Sequence, residues 1–353
     1  MWYYRVMLYT IISLINSHTS MDVLPRLSYD TKELPIYKIN LDLPVKDRYR
    51  EIFHIYKDKV KVYSAVVAQT NSAKLISRLN FGKYLINRKT QNPEWYEFIE
   101  ELANITGITL SQAALLSANY ELFCSSIIVQ DKDNKIFLGR NLDFETYYVI
   151  SHLVYEAHYY RNGILESKNV ELVGHRGIVN GVKLGKFSVS LNKREKGNIL
   201  DHLFRIYTGK TTPSFTLLNV IEKAYSYAEA IQILNSTSLT APAYFIISGI
   251  NSNEGSIITR DLDTVYRTDE LDVDNGIWFL VTTNTDLDKD ESPDDFRRIP
   301  AQNNLKNIGR ENINYENLFS NVMSVYPTNN HFTAFTTIQS TVDGYFSNAM
   351  WQP

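Results

Sequence analysis

At Cys124 the hydrophobic pattern of this chain changes period, and any fold it adopts has to accommodate that change. Upstream, apolar residues fall at one-face helical spacing, as at Ile52, Phe53, Ile55 and Tyr56. Downstream, Ser125-Ser126-Ile127-Ile128-Val129-Gln130 and Ile136-Phe137-Leu138 flank the polar turn Asp131-Lys132-Asp133-Asn134-Lys135, which is a hairpin signature. The chain therefore divides into a mainly helical part, residues 21–123, and an α+β part, residues 124–353, whose first strand starts at Cys124.

Within the first part, an extended, proline-punctuated piece (34–44) precedes helices expected near 52–66, 72–88 and 93–104, then another N-capped by Ser111 and running through Ala118. Further strands are expected at 177–183, 187–192, 244–248, 256–259 and 277–283, with helices near 198–208 and 213–235. Nothing repeats. With 353 residues, 44% hydrophobic and 21% charged, the chain can bury one large core. A net charge of −3 gives no electrostatic reason to expect a nucleic acid partner.

Residues 1–20 have the order of a signal peptide: Arg5, the apolar run Val6 to Ile15, then small and polar residues to Ser20. The run is too short to span a bilayer. Sequons at Asn104 and Asn235 fit the same secretory route, with the lysosome or the exterior as destination. Cys124 is the one cysteine, so no internal disulfide can form. In such a compartment a lone thiol is either an inert buried residue or a nucleophile.

Metal chemistry finds no support. The seven histidines make no His-x-x-His spacing. Asp286, Asp288 and Asp290 imitate a calcium loop, but Glu291 stands where glycine is needed and Arg297 where glutamate is needed. No metal and no cofactor is expected.

The hairpin carries the chemistry. Its return strand runs into Gly139-Arg140-Asn141-Leu142-Asp143-Phe144, which a tight turn brings back beside Cys124. A guanidinium near a thiol favours the thiolate, and an aspartate beside a free α-amine would orient it. The spacing alone equally allows a surface Arg–Asp pair beside a buried cysteine.

Phe123-Cys124-Ser125-Ser126-Ile127-Ile128-Val129-Gln130-Asp131 and the Gly139 to Phe144 stretch resemble the processing junction of the acid ceramidase and N-acylethanolamine acid amidase family. That family is a choloylglycine-hydrolase-like branch of the N-terminal-nucleophile hydrolases. The similarity continues through Ile39-Asn40-Leu41-Asp42-Leu43-Pro44, Ala241-Pro242-Ala243-Tyr244, Glu254-Gly255-Ser256, Thr283-Asn284-Thr285-Asp286 and Asp294-Asp295-Phe296-Arg297-Arg298. The resemblance implies an αββα sandwich and self-cleavage between Phe123 and Cys124. The α chain (21–123) and β chain (124–353) would stay associated. It implies Cys124 as nucleophile, Arg140 and Asp143 beside it, Asn284 as oxyanion donor through Nδ2, and Arg297 rather than Arg298 as a second arginine. Lys193 stands where the family has a glutamate; by strand spacing that carboxylate is either lost outright or supplied to the pocket by Glu195, two positions on and on the same face, and the pair equally fits two solvated turn charges. The implied reaction is hydrolysis of a fatty-acyl amide, of the N-acylethanolamine type before ceramide, with transient contact at a membrane surface. A weakly active lipid-binding relative is the alternative from another class.

Overall fold

The hairpin expected at Cys124 lies at the centre of the structure, a computed structural model that describes residues 24–25, 30–69, 89–118, 123–144, 147–197 and 199–352. Its strands β3 (Phe123–Gln130) and β4 (Ile136–Asp143) pair antiparallel, Cys124 opposite Leu142 and Phe123 opposite Asp143. The signal segment expected over 1–20 and the helix expected over 72–88 lie outside the described residues.

Around the hairpin grows a six-stranded sheet, ordered β1 (Thr31–Lys32), β14 (Tyr345–Trp351), β13 (Thr333–Ser340), β4, β3, β12 (Phe279–Thr282). An eight-stranded sheet stacks on it, ordered β11 (Val265–Glu270), β10 (Gly255–Arg260), β9 (Ala243–Ser248), β8 (Phe187–Lys193), β7 (Ile178–Lys183), β6 (Ile164–Leu172), β5 (Val154–Arg161), β2 (Ile36–Asn40). Every pairing is antiparallel except β2 with β5. The hairpin faces β8 and β9.

Helices cover the outer faces, giving the αββα layering of the N-terminal-nucleophile fold. α1 (Val45–Arg48), α2 (Arg50–Val67), α3 (Pro93–Thr106) and α4 (Leu110–Ala118) form the N-terminal group, and α5 (Tyr147–Ile150) follows β4. After α6 (Ile199–Tyr207), α7 (Pro213–Lys223) and α8 (Tyr227–Ser236) lie on the eight-stranded sheet. α9 (Arg298–Ile308), α10 (Tyr315–Leu318) and the π turn Phe319–Met323 cover the other. No described helix is long and apolar enough to cross a membrane.

Local chemistry explains where the helices start. α3 opens on Asn92, whose side chain accepts from Trp95 N at 3.1 Å, with Pro93 at the first helical position. α4 starts one residue before Ser111, so that serine is not its cap. Thr109 is: its hydroxyl accepts from Gln112 N (3.2 Å) while Gln112 Oε1 accepts from Thr109 N (2.8 Å), a capping box. The single helix expected over 213–235 is two, because Ser226 caps a new one by accepting from Glu229 N. β5, β6, β11, β13 and β14 had no counterpart in the sequence reading.

Those unforeseen strands enclose a charge. Glu171 on β6 is 4% exposed and accepts hydroxyls from Tyr155 and Tyr159 of β5. Tyr159 meets Tyr49 of the N-terminal part (O···O 3.0 Å), and Arg176 donates to Tyr49 at 3.0 Å. Burial pushes Glu171 up from an ordinary 4.5 to about 7, against the opposing pull of both tyrosines and Arg176. A carboxyl whose pKa is raised by folding stabilises the fold fully below its unfolded value and loses that contribution as pH rises through the folded one. At 1.36 kcal/mol per pH unit the difference is about 3 kcal/mol between pH ~4 and pH ~7. Buried His175, lowered from 6.5 to about 4 by burial, acts in the opposite sense over the same window, so the Glu171 contribution is read by difference. Relative to the parent, Glu171→Gln should lose more resistance to urea at pH ~4 than at pH ~7, as read by denaturation midpoints across the range.

Candidate active site

Cys124 is the second residue of β3, at the stacking face between the sheets, and it is fully buried. Residues two apart on a strand share a face. Ser126 accordingly points the same way and reaches Ser190 (3.1 Å) and Asn192 (2.7 Å) on β8. Arg140 pairs with Ser126 across the hairpin and places Nη2 3.0 Å from Cys124 Sγ. Its Nη1 donates to the carbonyls of Val179 (3.1 Å) and Leu191 and to Ser190 Oγ (3.0 Å). Burial pushes the Cys124 thiol up. Arg140 opposes this most strongly, Asp143 adds to it, and Arg297 and a main-chain hydrogen bond from Lys193 pull it down.

On the other side of β3 the pairing with β12 ends at Ser126 opposite Thr282, which sets Asn284 alongside Cys124. Asn284 Oδ1 accepts Cys124 N–H at 2.9 Å and Arg297 Nη2 at 2.7 Å. Its Nδ2 donates to the Lys193 carbonyl at 2.7 Å. Asn192 Nδ2 gathers the carbonyls of Thr282 (3.2 Å) and Thr283 (3.1 Å).

Arg297, where α9 begins, is the hub of a second cluster. It contacts Asp143 Oδ2 (2.6 Å) and, through Nε (3.0 Å) and Nη2 (2.9 Å), Asp295 Oδ1. Burial alone would lower Arg297, but Asp295 and Asp143 more than reverse it. Arg298 turns away, to the carbonyls of Thr285, Asp286 and Lys289.

All five candidate residues thus converge. The expectation for Asp143 concerns a free α-amine, which the uncut chain does not have; here the peptide N–H of Cys124 donates to Asn284 and Asp143 faces other partners. Register is the reason: Asp143 stands opposite Phe123, and its oxygens receive Arg297, Asn330 Nδ2 (3.2 Å) and Thr333 Oγ1 (2.7 Å). Lys193 lies at the site through its main chain only. Strand alternation sends its side chain to the face opposite Asn192. There Nζ sits 4.0 Å from Glu195 Oε1, with the two side chains 29% and 52% exposed, so the pair is solvated. Asp286 serves Arg194 and Tyr244 rather than an ion (2.6 Å each). Of the sequons, Asn104 is exposed on α3 and Asn235 half-buried on α8.

Sequence reasoning missed Asn192, Asp295, Asn330 and Thr333. Asp295 carries a faint signal, a carboxylate two residues before the arginine it grips. The Asn330–Thr333 pair has none, being 187 and 190 positions from Asp143.

Comparison with known proteins agrees with this geometry. Residues 32–81 match the beta subunit of N-acylethanolamine-hydrolyzing acid amidase, and residues 124–285 match the linear amide C–N hydrolases of the choloylglycine hydrolase family. The chain is 30% identical over 336 residues to the N-acylethanolamine-hydrolyzing acid amidase of Caenorhabditis elegans, covering 89% of this chain and 92% of that protein. It is 33% identical over 342 residues to human acid ceramidase, covering 89% and 85%. A solved structure of the Caenorhabditis elegans amidase ortholog superposes with a TM-score of 0.60 at 31% identity, covering 65% of this chain and 100% of that one.

Because Cys124 is the sole cysteine, carbon-labelled cysteine gives one NMR resonance whose titration reports the thiol. Arg140→Gln removes the nearest cation, and the titration midpoint is expected to rise by about 1–3 pH units. An unchanged midpoint would mean that the guanidinium does not govern the thiol.

Proposed function

From the premise that the chain belongs to the family of N-acylethanolamine acid amidases and acid ceramidases, and is an amidohydrolase of linear amides, we propose that it cuts itself before Cys124 and then hydrolyses N-acylethanolamines. One observation carries the reading: the chain's only thiol lies 3.0 Å from a buried guanidinium while its own amide nitrogen is held by Asn284.

In the first step Sγ attacks the Phe123 carbonyl carbon, the Phe123–Cys124 C–N bond breaks, and the nitrogen takes up a proton as a free α-amine. Water hydrolyses the resulting thioester, leaving a carboxylate on Phe123 and restoring the thiol. Two fragments result, 21–123 and 124–353. In each later turnover the α-amine accepts the thiol proton and the thiolate attacks the substrate amide. Asn284 Nδ2, with one hydrogen kept on the Lys193 carbonyl, stabilises the oxyanion through the other. The amine departs with a proton, and water releases the fatty acid from the acyl-thioester. No cofactor takes part.

An apolar recess supports a fatty-acyl substrate. Leu142, directly across the hairpin from Cys124, lines it together with Phe144, Val170, Val179, Phe335 and Tyr63. The recess measures about 400 Å³ counted together with the space open to solvent, and Glu171 and His175 lie on its wall beside the apolar residues. Ceramide is the second reading, favoured by the likeness to acid ceramidase. The signal-like segment and the exposed Asn104 sequon point to a secretory route ending in the lysosome or outside the cell.

Incubation at acidic pH should yield a fragment beginning Cys-Ser-Ser-Ile, and Cys124→Ala should stay one chain. Cleavage of that variant at the same bond would exclude self-processing. The processed enzyme should release palmitate from N-palmitoylethanolamine faster than from ceramide; the reverse order would move the assignment to ceramidase. Asn284→Ala should lose about 10²–10³ in turnover with little change in KM.

A further inference from the structure

Two backbones meet the nucleophile, the end of β8 at Lys193 and the turn after β12 at Asn284, where Asp295 Oδ2 accepts the Asn284 N–H at 2.9 Å. The next residue along the first is Arg194, and two residues along the second is Asp286. Arg194 is 3% exposed and grips Asp286 with a fork, Nε to Oδ1 at 2.6 Å and Nη2 to Oδ2 at 2.9 Å. Tyr244, on β9 opposite Asn192, donates to Asp286 Oδ1 at 2.6 Å and to the Asn284 carbonyl at 3.4 Å. Arg298 Nη1 holds the Asp286 carbonyl at 3.0 Å.

We propose that Asp286, clamped by Arg194 and Tyr244, is a positioning residue that fixes the Lys193 main chain and the Asn284 side chain against the thiol of Cys124. None of the three touches Sγ. Their effect passes through the main chain: Lys193 supplies the hydrogen bond that favours the thiolate, and its carbonyl sets the direction of Asn284 Nδ2. A forked guanidinium–carboxylate bond has little lateral freedom. Misplacement by about 1 Å at a reacting centre can lower a rate about 10²-fold. A buried ion pair is weak evidence for stability, since a well-packed apolar pair of similar volume often does as well. Placement is then the role left for a pair so close to the site. Asp286 is held below the usual carboxylate range although burial pushes it up, because Arg194, Tyr244 and Lys289 donate to it, so the clamp stays charged in acid.

The proposal rests on the functional reading above for its kinetic arm but not for its titration arm. Tyr244→Phe, Arg194→Lys and the apolar double variant Arg194→Met with Asp286→Leu are compared with the parent enzyme. Turnover should fall about 10- to 100-fold with KM changed less than about threefold. The labelled-cysteine titration should move upward by about half a pH unit or more. The double variant separates placement from stability, since it should melt near the parent temperature and still show both changes. Parent-like turnover and titration in variants that have lost only melting temperature would overturn the proposal. If the parent cleaves no acyl amide, the functional reading fails while the titration still decides whether the clamp sets the thiol.

Discussion

Arg140 is a full positive charge with no solvent exposure, and the remainder of the site follows from how that charge is accommodated. Its terminal nitrogens meet two carbonyls and a hydroxyl from the eight-stranded sheet and the sulfur of Cys124 from its own. No described carboxylate lies within ion-pair distance of it. A buried cation without a counter-ion is costly, and of the groups Arg140 touches only Cys124 can become an anion. The arginine therefore favours the thiolate, although burial still holds the thiol above its usual range. The same contacts align the two sheets, because Val179, Ser190 and Leu191 lie on strands that stack across the hairpin.

Arg297 is equally buried but electrostatically complete, lying between Asp143 and Asp295. The two arginines therefore differ in kind. Arg297 is a neutralised strut that fixes Asn284, and Arg140 is an uncompensated field aimed at sulfur. Thr333 and Asn330 saturate the far side of Asp143, which leaves that carboxylate little freedom to turn toward the nucleophile.

What the sequence made legible was local. The hairpin, its turn and the approach of Arg140 follow from strand geometry over sixteen residues, and the αββα layering followed from resemblance, as did Asn284 and Arg297. β5 and β6 were hidden because they bury polar groups: Glu156, Glu171 and Asn169, with Lys168 half-buried, break the apolar alternation by which a half-buried strand is recognised. Glu156, for one, is met by Asn348, 192 positions away. The cap at Thr109 was missed for a different reason, since Ser111 is a comparable capping residue two positions away and only geometry decides between them. The departure at Lys193 drew attention to a side chain, whereas the position matters through its peptide groups, which any residue supplies.

The topology also accounts for how a chain cut inside a strand would keep its architecture. The Phe123–Cys124 bond lies at the start of β3, yet the residues upstream of it are not merely an appended helical cap. β1 is an edge of the six-stranded sheet through β14, and β2 is an edge of the eight-stranded sheet through β5. One upstream segment therefore ties both sheets, and Tyr49 adds a buried polar tie to Tyr159 and Arg176. Breaking the bond before Cys124 removes one covalent link while every one of these contacts remains. A new amino end would stand at the head of a central strand, flanked by β4 and β12, where Asn284 Oδ1, which accepts the amide N–H of the uncut chain, is already in place.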